Sequence, residues 1–214
     1  PELTTDASTS IADTSVQLNG TLIDDGGETC DYRFEYDLDS GEPYEFCTPW
    51  ASGVTTGLAF NGVVDTLEPG TTYYYRAQAQ NSVGISSGEE VSFTTKPTVP
   101  SGLSATATSS QSIDLSWTSG QGSTETLIMR KIGGYPVDRT DGEQAYLGSG
   151  EASTDSGLRP GTTYYYRAWA YDAIGDKWSA GYSEASAHTD GVVISAPNVI
   201  TIPYGTVPVA ISID

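Results

Sequence analysis

Thirteen residues occur almost twice in this chain. Residues 67–79 read LEPGTTYYYRAQA and residues 158–170 read LRPGTTYYYRAWA, identical at eleven of thirteen positions and 91 residues apart. A period near 90 is too long for a solenoid repeat and fits an independently folding unit of roughly 100 residues. The 214-residue chain therefore holds two copies of one fold, each with its own core. Val91 to Thr95 reads as a closing strand, and Lys96-Pro97-Thr98-Val99-Pro100 then interrupts any ladder. Two prolines three apart hold a connector extended and stiff. The second copy closes near Ala185-Ser186-Ala187-His188-Thr189, and Asp190-Gly191 marks the next turn. These signals predict units at 1–96 and 97–189, with 190–214 as an extended β tail or the start of a further domain.

Period-2 alternation runs through both copies, as half-buried antiparallel strands require. Val16, Leu18 and Leu22 share one face of an early strand, and Tyr32, Phe34 and Tyr36 alternate with Arg33 and Glu35 on the next. Tyr73, Tyr75, Ala77 and Ala79 alternate with Tyr74, Arg76 and Gln78. In the second copy Ile113, Leu115 and Trp117 form the early strand, with Tyr164, Tyr166, Ala168 and Ala170 on the late one. Gly, Asp, Ser and Pro turns separate the strands, and no segment keeps a 3.6-residue period. The expected class is all-β: two tandem immunoglobulin-like sandwiches and a C-terminal strand tail.

The segments Leu67-x-Pro69-Gly70-Thr71-x-Tyr73 and Leu158-x-Pro160-Gly161-Thr162-x-Tyr164, each feeding a strand, resemble those of fibronectin type III domains from bacterial, archaeal and phage surface proteins. The resemblance covers roughly residues 7–189. It implies a tyrosine corner at Tyr73 and Tyr164, each hydroxyl bonding backbone near the preceding turn. Trp117 matches the family's core tryptophan, whereas the first copy offers Leu18 or Leu22 where a tryptophan would stand. The family implies a fold and not a function, since the same sandwich serves adhesion, spacing and binding.

Charge narrows the partners. The net charge is −19, of which residues 1–96 carry −13. Such a chain repels phosphate backbones and anionic lipid, which speaks against nucleic acid and membrane surfaces. No run of about 18 apolar residues exists to span a bilayer. One histidine, His188, and three lysines leave little for acid–base or Schiff-base chemistry, and no serine stands in a nucleophile elbow. No catalytic residue, cofactor or metal is expected. Asp37-x-Asp39-Ser40-Gly41-Glu42 lacks the third spaced acid and closing glutamate of a calcium loop and reads as an acidic hairpin tip. Asn19-Gly20-Thr21 fits the glycosylation sequon but reads first as a tight turn or strand irregularity.

Cys30 and Cys47 lie on expected strands either side of Asp37-Leu38-Asp39-Ser40-Gly41. A hairpin centred between Leu38 and Asp39 would set the two sulfurs opposite each other, so a disulfide is expected, and with it an extracellular, cell-surface or virion-surface location.

Two features bear on function. If Tyr164, Tyr166 and Ala168 point inward, Tyr165, Arg167 and Trp169 point outward, with Trp178 and Tyr182 beside them. Such a face either is covered by neighbouring loops or serves as a protein or glycan surface. Residues 190–214 carry Val199, Ile200, Ile202, Val207, Val209, Ile211 and Ile213 in strand-like alternation. Too short to bury a core alone, this stretch would dock in an assembly, dock on its own domains, or open a third sandwich. The start at Pro1, without methionine, signal sequence or tag, is what a processed fragment would show. The leading expectation is a non-catalytic extracellular subunit: a stiff rod of about 70 Å, from some ten residues of strand rise per unit, assembling into a filament or virion appendage through its tail as a homo-oligomer or with other structural proteins. The alternatives are an adhesin or carbohydrate-binding module using the exposed aromatics, and a spacer of a larger secreted enzyme.

Overall fold

A computed structural model describes residues 1–192. The seven tail residues named above, Val199 to Ile213, lie outside the described residues. Nine strands make the first unit: β1 (Glu2–Thr9), β2 (Val16–Asp24), β3 (Cys30–Asp37), β4 (Phe46–Cys47), β5 (Ala51–Val54), β6 (Ala59–Val64), β7 (Thr72–Asn81), β8 (Gly84–Ser87) and β9 (Val91–Thr94). Eight make the second: β10 (Ser101–Ser109), β11 (Ser112–Thr118), β12 (Glu125–Ile132), β13 (Glu143–Gly148), β14 (Ala152–Ser156), β15 (Thr163–Asp172), β16 (Lys177–Trp178) and β17 (Ser183–His188). In the first unit a β1-β2-β6 sheet faces β4-β3-β7-β8, with β5 on β3 and β9 on β7. In the second, β10-β11-β14 faces β13-β12-β15-β16, with β17 on β15. All the pairings are antiparallel.

The inward residues of each alternation form the core. Leu18, Leu22, Phe34, Tyr75 and Ala77 are fully buried in the first unit, as are Ile113, Ile128, Tyr166 and Ala168 in the second. The two cores differ where the tryptophan stands. Leu67 N–H donates to Thr14 O at 3.0 Å and Leu158 N–H to Gln111 O at 3.1 Å, which sets β2 and β11 in register across the repeat. That register puts Gly20, rather than Leu18 or Leu22, at the place of Trp117. Opposite Gly20 on β6 stands Phe60, whose Cζ lies 2.6 Å from where a Gly20 Cβ would be. Phe60 packs 4.6 Å from the Tyr32 ring and 5.6 Å from Phe34. Each unit thus carries one large ring at this level, Phe60 from β6 in the first and Trp117 from β11, against Tyr146, in the second.

The expected disulfide is absent. Both cysteines are free, Cys30 buried and Cys47 exposed. On β3, Cys47 faces Glu35 while Cys30 faces Val54 of β5, so the hairpin centres on Gly41. Five residues of strand, about 16 Å, separate Cys30 from Cys47's partner position. The wider loop has a physical cause. Asp37 accepts from Leu38 N–H at 2.6 Å and from Glu45 N–H at 2.7 Å, while Glu90, from beyond β8, accepts from Ser40 Oγ at 2.5 Å, Gly41 N–H at 2.8 Å and the Tyr44 hydroxyl. These bonds span residues 38–45 and displace the turn. Burial also pushes the Cys30 thiol pKa up. A thiol reagent should therefore label one cysteine, Cys47, in the folded chain and two after denaturation, and reductant should leave the melting temperature unchanged. Two unreactive sulfurs before reduction would contradict this geometry.

Candidate functional site

The repeated YYYRA sequence works the same way in both units. Its third tyrosine, Tyr75 or Tyr166, is fully buried, and the arginine that follows lies on the opposite face of the sheet. In the first unit Arg76 sits 5.0 Å over the Tyr44 ring, bonds Glu35 at 2.9 Å and also pairs with Glu42, which holds the 38–45 loop against the sheet. In the second, Arg167 lies 3.9 Å over Tyr182 and 5.5 Å from the Tyr135 ring centre, donates to Pro136 O at 2.7 Å and pairs with Glu184 at 3.1 Å. Each arginine clamps a loop.

The clamped loop changes the aromatic face of the second unit. Residues 133–142, between β12 and β13, fold back over the sheet. Lys131–Asp141 at 2.9 Å and the Val137 N–H to Asp141 bond at 2.7 Å close the loop. Tyr135 meets Tyr165 edge-on at 5.0 Å, and Arg139 covers Trp178 at 4.7 Å. Trp178 in turn stacks on Tyr171 at 4.3 Å. Trp169 is only 4% exposed and packs with Leu127, Met129 and Trp178 as a small second core. Tyr165, Arg167, Trp169 and Trp178 thus share the outer face, as alternation requires, but beneath a loop. Tyr182, 42% exposed and edge-on to Trp169 at 5.7 Å, forms one wall of an open cleft of about 430 Å³ whose other wall is Val137 to Thr140.

A buried ionic group lies on the inner side. Asp155, on β14, is 5% exposed; it pairs with Arg130 and accepts from the Tyr166 hydroxyl at 3.0 Å. Desolvation raises the Asp155 pKa above the ordinary carboxylate value, and it raises that of Tyr166 as well. Arg130 also pairs with Glu143 at 2.6 Å. Arg130 thus balances the charges of Asp155 and Glu143.

The remaining functional feature is the joint between the units. Thr98 N–H donates to Gln121 O at 3.0 Å, and Gln121 N–H returns a bond to the Thr98 hydroxyl at 2.7 Å. Gln121 Nε2 reaches Glu68 Oε2 at 3.1 Å. Between them the Pro69-Gly70 turn lies directly on Gly122. A Cβ on either glycine would fall inside the other unit's backbone, and both glycines have positive φ, +60° and +75°. A Gly175 Cβ would come within 2.6 Å of Thr94 Cγ2, a second close approach across the joint. Only glycine allows backbones this near.

A solved two-domain fibronectin type III segment of chicken tenascin overlays 88% of this chain and 100% of its own length, with a TM-score of 0.53 and 16% sequence identity. Both units have the fibronectin type III fold. No family model matches the sequence. An alpha-amylase of Niallia circulans is 34% identical over 111 residues, 52% of this chain. The aligned part spans 8% of that amylase's length.

In each fibronectin type III unit the repeated turn is held by one set of bonds. The Tyr73 hydroxyl accepts from Glu68 N–H at 3.0 Å, and that of Tyr164 from Arg159 N–H at 2.9 Å. Thr95 Oγ1 donates to Glu68 O and Thr189 Oγ1 to Arg159 O, both at 2.7 Å. Strand alternation gave no sign of Gly122 or of the 133–142 cover. Gly133-Gly134-Tyr135-Pro136, a turn signal carrying an aromatic, was the available hint of the latter. The sequon residue Asn19 donates to Ala7 O at 2.8 Å and Thr9 Oγ1 at 3.1 Å, tying β1 to β2.

Proposed function

We propose that this tandem is a stiff, non-catalytic extracellular spacer within a secreted protein. The observation that carries the reading is the joint: backbone against backbone at Gly70 and Gly122, with Gln121 bonded to both Thr98 and Glu68. Two sandwiches so joined hold one mutual orientation, which a spacer needs and a flexible linker lacks. The partial likeness to an alpha-amylase supports an accessory role in a secreted, polysaccharide-active protein. The acidic surface suits an extracellular chain that must remain dispersed.

Residual dipolar couplings test the joint. The wild-type chain should fit one alignment tensor for both units. Gly122→Val, with a Cβ facing Pro69 O and a strained φ, should give two tensors while each core stays folded. Independent tensors in the wild type would refute a stiff spacer. The cleft beside Tyr182 favours a second reading, glycan contact, and retention on insoluble α-glucan separates the two. A spacer passes through; a glycan-binding module is retained and released by Tyr182→Ala.

A further inference from the structure

The end of the second unit repeats the surface that the first unit uses in the joint. Gly70 and Gly161 have φ of +60° and +59°. Gly70 N–H donates to Lys96 O at 3.2 Å and Gly161 N–H to Asp190 O at 3.0 Å. Thr71 N–H bonds Thr95 Oγ1 at 2.9 Å, and Thr162 N–H bonds Thr189 Oγ1 at 3.0 Å. Thr71 Oγ1 and Thr162 Oγ1 donate to Pro69 O and Pro160 O at 3.0 and 3.1 Å. One member of this pair is covered by Gly122. At the other, a Cβ on Gly161 would meet only Gly191 Cα, at 3.9 Å, among the described residues.

The opposite end of the chain repeats the surface that fills the socket. The loop after β2 corresponds to the loop after β11 that carries Gly122. It contains Gly26 and Gly27 at φ +69° and +86°, against +75° for Gly122, and nothing among the described residues lies within 4 Å of a Gly27 Cβ.

Charge distinguishes the open pair from the closed one. Glu68, at the rim of the occupied socket, is replaced by Arg159, which forms no ion pair among the described residues. Arg159 borders an open cleft of about 300 Å³ with Arg130, Lys131 and Glu143, of which Arg130 and Lys131 already have carboxylate partners. The loop at the far end reads Asp24-Asp25-Gly26-Gly27-Glu28.

We propose that the Arg159-Pro160-Gly161 socket receives the Asp24–Glu28 loop of a second copy, so that copies meet head to tail with the joint geometry repeated between molecules. This goes beyond a spacer role and does not depend on it. The contact is heterologous, so it propagates instead of closing as a symmetric dimer. A contact between two short loops gives weak association, seen at high concentration.

Sedimentation equilibrium on the 214-residue chain, at concentrations up to about a millimolar and physiological salt, tests it alongside small-angle scattering. The mean mass should rise with concentration, and the longest dimension should grow by whole-molecule steps. Arg159→Glu, on the exposed rim, should lower the association constant about tenfold, and Glu28→Arg should do the same, because each sets like charges against one another across the contact. An equimolar mixture of the two variants should recover association through the swapped charges. Gly161→Val should abolish it; should its strained φ prevent folding, the charge variants and their mixture still decide. Monomers at every concentration overturn the proposal, whether the socket is empty or covered by residues 193–214 of its own chain. So does association that is side by side, or that ignores Arg159→Glu.

Discussion

Phe60→Ala should destabilise the first unit by about 3–5 kcal/mol, the cost of deleting a buried ring where the surroundings cannot collapse. Collapse is limited because Gly20, directly opposite, has no side chain to move into the gap, and the nearest rings, Tyr32 and Phe34, are fixed on β3. The second unit carries its large ring, Trp117, on the strand equivalent to β2, which suggests a reciprocal test. Gly20→Val alone should also destabilise, since its Cβ would overlap Phe60 at 2.6 Å. Combined with Phe60→Ala, the valine enters the vacated space, so the double variant should be more stable than the sum of the single losses predicts. Chemical denaturation followed through the tyrosines and tryptophans reads both effects. Additive losses would mean that Gly20 and Phe60 do not share one volume.

That exchange shows what the sequence could carry and what it could not. Strand alternation places Leu18, Leu22, Phe34, Tyr75 and Tyr166 in the cores because inward and outward positions follow from the chain itself. The repeat doubled the information, and so the fold was legible. Complementary volumes from different strands, such as Gly20 with Phe60, depend on register between segments 40 residues apart, which alternation does not encode. The cysteine hairpin failed for the same reason. Its turn is displaced by Glu90, some fifty residues away, bonding Ser40, Gly41 and Tyr44. Alternation puts Tyr165, Arg167 and Trp169 on the outer face, yet it gives direction and not exposure. Tyr135, Pro136 and Arg139 arrive from a loop to cover it. The proline-bounded connector is legible in the sequence; the close approach of Gly70 and Gly122 becomes visible only when two turns from different units meet.

Arg130→Met should destabilise the second unit by about 3–5 kcal/mol at neutral pH, because it leaves a buried carboxylate without its cation. Among the described residues Asp155 would keep only the Tyr166 hydroxyl as a partner. The pH dependence identifies the cause. Desolvation already holds the Asp155 pKa above its ordinary value, and losing the attraction of Arg130 raises it further. A carboxyl with a raised native pKa binds its proton more tightly in the folded chain. Its stabilising contribution is complete below the unfolded value, about 4, and is lost as pH rises through the native value. The difference in stability between Arg130→Met and wild type should therefore be smallest near pH 4 and grow toward pH 7. Taking that difference cancels the opposite trend of carboxylates such as Asp37 and Glu90, whose pKa values are lowered by hydrogen bonds they accept. Adding Asp155→Asn to Arg130→Met removes the unpaired charge, and the double variant should regain stability at pH 7 and lose most of the pH dependence. Equal destabilisation at both pH values would show that Arg130 acts through its packed stem alone, with no electrostatic hold on Asp155.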